Sequence, residues 1–174
     1  INPNSKKFPR LVGNVIGGGK HSGNEKKPDF QEFLFIPNEK TTRENFELMK
    51  KTKEKLEGDL KDFDEKFKEK KNDEDAWETS LNEKEILDLL LKFETPLGLD
   101  VAASSFYSRK KYLYKNPMLK RDSEEQFRYI SNLIENFDLF YIEDPFDEED
   151  FQNFAELTKK FPKKLIVGDD LTVT

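Results

Sequence analysis

No cysteine occurs in the 174 residues, which excludes disulfides and thiolate metal sites and suits a reducing compartment such as the cytoplasm. No apolar run approaches the roughly 18 residues needed to span a bilayer, so no membrane role is expected. The polar start, Ile1 to Arg10, lacks the apolar stretch of a signal peptide. It also lacks an initiator methionine, which leads us to expect a fragment or a processed chain. An excess of base is missing as well. Lys and Arg number 30 against 36 Asp and Glu, for a net charge of −6. That balance argues against nonspecific nucleic-acid binding, which needs a basic face. Charged residues make up 38% of the chain, and mean hydropathy is −0.87. These values would allow disorder, but 16 Phe and well-spaced apolar runs can build a core.

The apolar runs order the chain. Leu11–Ile16 reads as a strand running into Gly17-Gly18-Gly19, and Phe30–Ile36, stopped by Pro37, reads as a second. Asn38–Lys71 is mostly charged and reads as helix, broken near Gly58. Asn72–Ser80 reads as loop. Glu83–Phe93 carries Ile86, Leu87, Leu90 and Leu91 on one helical side. Leu97–Ala103 reads as a buried strand. Ser123 opens a helix with a Ser-x-x-Gln start reaching Gln126. Leu139–Ile142 and Leu165–Val167 read as strands, with a helix over Glu148–Phe161 between them. From Leu97 onward this is the alternation of parallel βα units, in one domain.

The acids fall at informative places. Asp100 interrupts Gly-Leu-Asp-Val-Ala-Ala, Glu143 follows Leu-Phe-Tyr-Ile, and Asp169 follows Leu-Ile-Val-Gly. Each sits in or at the end of an apolar strand. In a (β/α) barrel the C-terminal strand ends converge on one mouth. Three carboxylates gathered there repel one another unless a divalent cation removes the cost, and hard oxygen donors suit Mg²⁺. A single such acid reads more simply as a helix cap. Three at equivalent positions point to a cation, because buried unpartnered acids are expensive. Asp144 and Asp170 beside them suit capping or supporting roles.

Five strings stand in series: Asn14-Val-Ile-Gly-Gly-Gly-Lys-His-Ser-Gly-Asn24, Gln31-Glu32-Phe33, Gly98-Leu-Asp-Val-Ala-Ala-Ser104, Tyr141-Ile-Glu-Asp-Pro-Phe146 and Val167-Gly-Asp-Asp-Leu-Thr-Val-Thr174. In that order they resemble enolase, over positions 14 to 174. The resemblance implies an α/β fold, an enolase-type TIM-like barrel whose first two strands form an antiparallel hairpin. It implies Mg²⁺-dependent dehydration of 2-phosphoglycerate to phosphoenolpyruvate, with Asp100, Glu143 and Asp169 on the metal. It also implies His21 on a loop that closes over substrate, Gln31 and Glu32 lining the pocket, and Glu74, with Glu32, assisting departure of the hydroxyl. The chain departs from the family around Glu74, where Asp75 replaces a usual glycine and Thr79 stands where proline is common.

About five of the eight barrel strands are expected here, since a full barrel takes about 250 residues. The first and last of them, Leu11–Ile16 and Leu165–Val167, would then be open edges. By the same resemblance the catalytic lysine would lie beyond Thr174, so the chain alone is expected to be inactive. The complete form would be a homodimer or would be finished by a complementing chain. The alternative is a noncatalytic split or degenerate half that acts as an assembly partner.

Overall fold

A computed structural model describes residues 9–173; the polar start at residues 1–8 and the closing Thr174 of the fifth string lie outside them. The first strand, β1 (Gly13–Gly17), runs into a 3₁₀ turn at Gly19–His21. The chain returns antiparallel as β2 (Glu32–Phe35), with Gly17 opposite Glu32. The glycine run is required by space and by backbone conformation. A Cβ on Gly18 would lie 2.3 Å from the Phe30 carbonyl oxygen, and Gly19 has φ of +46°. Glycine alone meets both demands without strain.

Helix α1 (Thr42–Phe63) starts in a capping box of Thr41 with Glu44. The expected break near Gly58 does not occur. Gly58 faces open space, with nothing within 4 Å of a Cβ built there. Glycine costs a helix only ~1 kcal/mol relative to alanine. Thr52, Leu56 and Leu60, spaced by four and all buried, hold the helix down on the other side.

Part of the stretch expected as loop is a short strand, β3 (Trp77–Glu78), parallel to β1 at Ile16 and Gly17. It covers the upper part of an edge that sequence leaves open. The Trp77 indole N–H donates to the Lys53 carbonyl at 3.0 Å, tying this strand to α1. Next comes α2 (Glu83–Leu90), capped by Asn82 with Glu85, and then β4 (Leu97–Asp100), antiparallel to β2. The expected run to Ala103 stops earlier, at Asp100, because Ala102 has φ of +45° and a 3₁₀ turn follows.

Between Ala103 and Ser123, where no element is expected, lies a second sheet. Its antiparallel strands are β5 (Tyr107–Ser108), β6 (Lys111–Lys115) and β7 (Met118–Arg121). Along β6 the period is two: Tyr112 and Tyr114 are buried and the terminal lysines exposed. Helix α3 (Ser123–Phe137) is capped by Asp122 with Glu125, one residue before the expected Ser123. Gln126 is buried instead of capping. Its Oε1 accepts the Tyr114 hydroxyl at 2.7 Å, and its Nε2 donates to the Pro145 carbonyl at 3.1 Å. The chain continues with β8 (Tyr141–Glu143), α4 (Phe151–Lys160) and β9 (Leu165–Val167).

The main sheet has the order β3-β1-β2-β4-β8-β9, with β4, β8 and β9 parallel. This is the expected α/β architecture, an antiparallel hairpin followed by βα units. It has six strands rather than five because of β3. The sheet does not close into a barrel among the described residues. Phe33, Phe35, Leu99 and Ile142 from the sheet and Ile86, Leu87, Ile130 and Leu157 from the helices form a buried core beneath the strand ends. No helix among the described residues is long and apolar enough to cross a membrane.

Candidate active site at the strand ends

Strand pairing alone lines up the acids. Glu32 sits opposite Asp100, and Asp100 opposite Glu143. Residues in register on neighbouring strands project to one face with Cβ atoms ~4.5–5.5 Å apart. Three carboxylates therefore stand side by side at one end of the sheet.

Asp100, Glu143 and Asp144 form the first cluster, each offering a carboxylate oxygen within 4.8 Å of the others. Asp100 is buried, 8% exposed. It accepts the Ala102 N–H at 3.0 Å and the Gln31 side-chain amide at 3.1 Å. Burial, then the charges of Glu143 and Asp144, push its carboxyl up to about 7. Glu143 is also raised, chiefly by burial, although the Tyr141 hydroxyl donates to it at 2.7 Å.

Asp144 accepts the backbone N–H groups of Asp169 at 3.2 Å and Asp170 at 2.8 Å. It thereby pins the turn after β9. Asp169 itself stands on that turn, exposed, and is outside the group of three. Its charge nevertheless contributes to raising Glu143.

His21, Glu32 and Glu74 form the second cluster. His21 Nδ1 lies 3.2 Å from Glu74 Oε2 and 3.4 Å from Glu32 Oε1. The Asn14 amide donates to Glu74 Oε2 at 2.8 Å. The two glutamates share a hydrogen bond and diverge. Burial, the bond to Glu74 and the surrounding acids push Glu32 up to about 8. Burial alone would raise Glu74 too, but its bonds to Asn14 and Glu32 and the nearby His21 leave it lowered. The two shifts run in opposite directions, so the pair favours a proton on Glu32 over one on Glu74.

The loop around Glu74 accommodates its unusual residues. Asp75 has φ of +59°, where glycine is favoured but aspartate is tolerated. Its carboxylate is held by Lys53 at 2.7 Å and Lys71 at 2.8 Å. Asn72 Oδ1 accepts the N–H groups of Glu74 and Ala76 at 3.1 and 2.9 Å, shaping the turn. Thr79 is fully buried and donates to Asp64 at 2.6 Å. Asn14, Asn72 and Tyr141 are positioning residues that the sequence did not single out, although Asn14 and Tyr141 lie in quoted strings.

A sheet of this order, with acids gathered at its strand ends, defines an α/β protein of the (β/α)-barrel kind. The first cluster offers only hard oxygen donors. These oxygens all lie within 4.8 Å of one another, close enough to share one ion, so the donor set fits a hard divalent cation.

A family profile described as the enolase C-terminal TIM barrel domain matches residues 5–174. The chain is 45% identical to an enolase of Pyrobaculum aerophilum over 98% of its own length and 43% of that protein. It is 39% identical to an enolase of Methanosphaera stadtmanae, over 100% of this chain and 45% of that one. An Archaeoglobus fulgidus enolase matches at 36% identity, over 98% and 44%. The chain belongs to the enolase family, within its C-terminal barrel domain, and spans under half the length of these relatives.

Proposed function

We propose that this chain is the first part of the catalytic barrel of an enolase that dehydrates 2-phosphoglycerate to phosphoenolpyruvate. The observation that carries the reading is the row Glu32, Asp100, Glu143, set by strand register, with a proton-sharing glutamate pair beside it. Asp100 and Glu143, with Asp169 from the turn that Asp144 pins, would hold Mg²⁺. When bound, the cation neutralises the substrate carboxylate and stabilises the charge that develops as the carbon acid loses its proton.

The chain's own residues supply the leaving-group side of the reaction. Glu32 holds a proton at neutral pH and, with Glu74, can deliver it to the departing hydroxyl. Asn14 and His21 orient the Glu74 carboxylate. Gln31 fixes Asp100, and with His21 and Glu32 it lines the substrate's side of the mouth. Activity would require the remainder of the barrel with its basic residue, in a homodimer or with a complementing chain, in the cytoplasm.

The test is phosphoenolpyruvate formation, followed by absorbance, for the complete protein and its Glu32→Gln and Glu74→Gln variants. We expect Mg²⁺-dependent turnover that falls by about 10²-fold or more in both variants, as loss of general acid catalysis predicts. Wild-type rates in both variants would contradict the assigned roles, and no turnover by the complete protein would contradict the function.

A further inference from the structure

Next to the loop that carries His21 lies a cavity of about 850 Å³ whose lining differs from the acidic balance of the chain. Lys20, Lys26, Lys27, Lys66, Lys68 and Lys115 line it. They come from three places: the loop after β1, the segment following α1, and the end of β6. The acids in the lining are Glu25 and Asp29. The Asp29 carboxylate is already engaged, accepting the backbone N–H groups of Lys115 and Asn116 at 2.9 and 3.0 Å.

Several lysines elsewhere in the fold are paired with acids, among them Lys53 with Asp75, Lys70 with Glu78, Lys84 with Asp88 and Lys111 with Asp122. None of the six around the cavity has an acid within 4.0 Å among the described residues. An unpaired lysine on a convex surface is simply solvated. Six lysines around one concavity make the local potential positive, which favours an anion placed among them. The volume falls within the ~300–1,000 Å³ of small-ligand sites. Ammonium groups are compact point charges suited to phosphate oxygens.

We propose that this lysine-lined cavity beside the His21 loop binds a small polyphosphate anion, the class that includes inorganic tripolyphosphate and the triphosphate of a nucleotide. Phe106, the aromatic ring in the lining, is committed to packing with Phe30 and Tyr114, so recognition falls on the phosphates and not on a base.

Calorimetric titration of the protein with inorganic tripolyphosphate, and separately with ATP, tests the proposal. Its readout is binding heat, so the outcome does not depend on the enolase reading. We expect saturable one-to-one binding that weakens with salt, with ATP no tighter than tripolyphosphate. The triple variant Lys26→Gln, Lys66→Gln, Lys68→Gln should weaken it about tenfold or more, as loss of charge-assisted contacts implies. The triple variant Lys120→Gln, Lys159→Gln, Lys163→Gln makes the same change of charge away from the cavity and should leave affinity unchanged. If the first variant fails to fold by circular dichroism, Lys26→Gln alone should still weaken binding measurably. Absence of binding at about 0.15 M salt, where the Debye length is ~8 Å, would overturn the site. Equal weakening by both triple variants, or ATP affinity retained without the cavity lysines, would do the same.

Discussion

Two groups of buried and half-buried acids in this molecule are treated differently. Beneath the small sheet, Glu83 is 2% exposed and accepts the Asp29 N–H at 2.6 Å, while Asp29 takes backbone N–H groups from the end of β6. Arg121 supplies positive charge to both acids, its guanidinium set over the Tyr114 and Tyr129 rings at 4.1 and 3.7 Å. At the strand ends, Glu32, Asp100 and Glu143 face mainly one another, and each raises or is raised by its neighbours. Both groups receive donors from the fold, but where the acids tie elements together the fold also brings a counter-charge. Where they face the open mouth, neutralisation is left to what binds there. Burial makes acids costly in both places, and only the second makes them available.

The comparison breaks most readily at Asp100. Asp100→Asn removes a charge that a cation needs and whose burial the fold resists. In the complete enzyme, turnover should fall about 10²-fold or more with the loss of Mg²⁺ affinity. The metal-free protein should become more stable at pH 8, measured by urea unfolding. A variant that keeps wild-type Mg²⁺ affinity by calorimetry would remove the distinction between the two groups.

Arg121→Ala attacks the other side. It strips the internal counter-charge from Glu83 and Asp29 and the stacking from two tyrosines. We expect a loss of ~3 kcal/mol in urea unfolding, in line with breaking a buried charge arrangement. A loss below about 1 kcal/mol would mean that the backbone donors suffice alone.

Glu83 sharpens the contrast through pH. Burial pushes its carboxyl up to about 7, above its unfolded value. The folded state then binds the proton more tightly. Its contribution is fully present below the unfolded value of ~4.3 and is lost as pH rises through about 7, by up to roughly 3 kcal/mol. Glu83→Gln should flatten that part of the stability profile between pH 5 and 8. An unchanged slope would show that Glu83 titrates normally in the fold.

The smallest expected effect is at Asp75→Gly. Glycine relieves the positive φ but removes two ion pairs to an acid that is 68% exposed. Exposed pairs contribute ~0–1 kcal/mol, so the net change in thermal unfolding should stay under about 1 kcal/mol.

Much of the mouth was legible because it obeys short-range rules. Asp100 and Glu143 end apolar runs, and runs of that kind set strand ends. Glu32 follows from the hairpin, since a strand re-entering the sheet puts its first residue at the same level as the end of the strand before it. What sequence did not carry depends on contacts across the chain. Glu74 meets His21 and Asn14 only because β3, two residues long, docks beside β1. Asp144 braces the Asp169 turn from 25 residues away. The sheet over residues 107–121 is dense in lysine and arginine, which hides the buried Tyr112 and Tyr114 in its alternation. Gly58 misled in the other direction, because one glycine on an exposed face does not outweigh a buried stripe on the opposite face.

The most direct measurement is thermal unfolding of the protein at pH 5 and pH 8, with and without Mg²⁺, alongside Asp100→Asn. Raised carboxyls at the strand ends mean that the metal-free fold loses stability as pH rises between these values, since the folded state holds protons that the unfolded chain releases. Mg²⁺ should therefore raise the midpoint strongly at pH 8 and little at pH 5, and Asp100→Asn should abolish that response. A midpoint indifferent to Mg²⁺ at pH 8, or an equal response in Asp100→Asn, would contradict a carboxylate mouth that awaits a divalent cation.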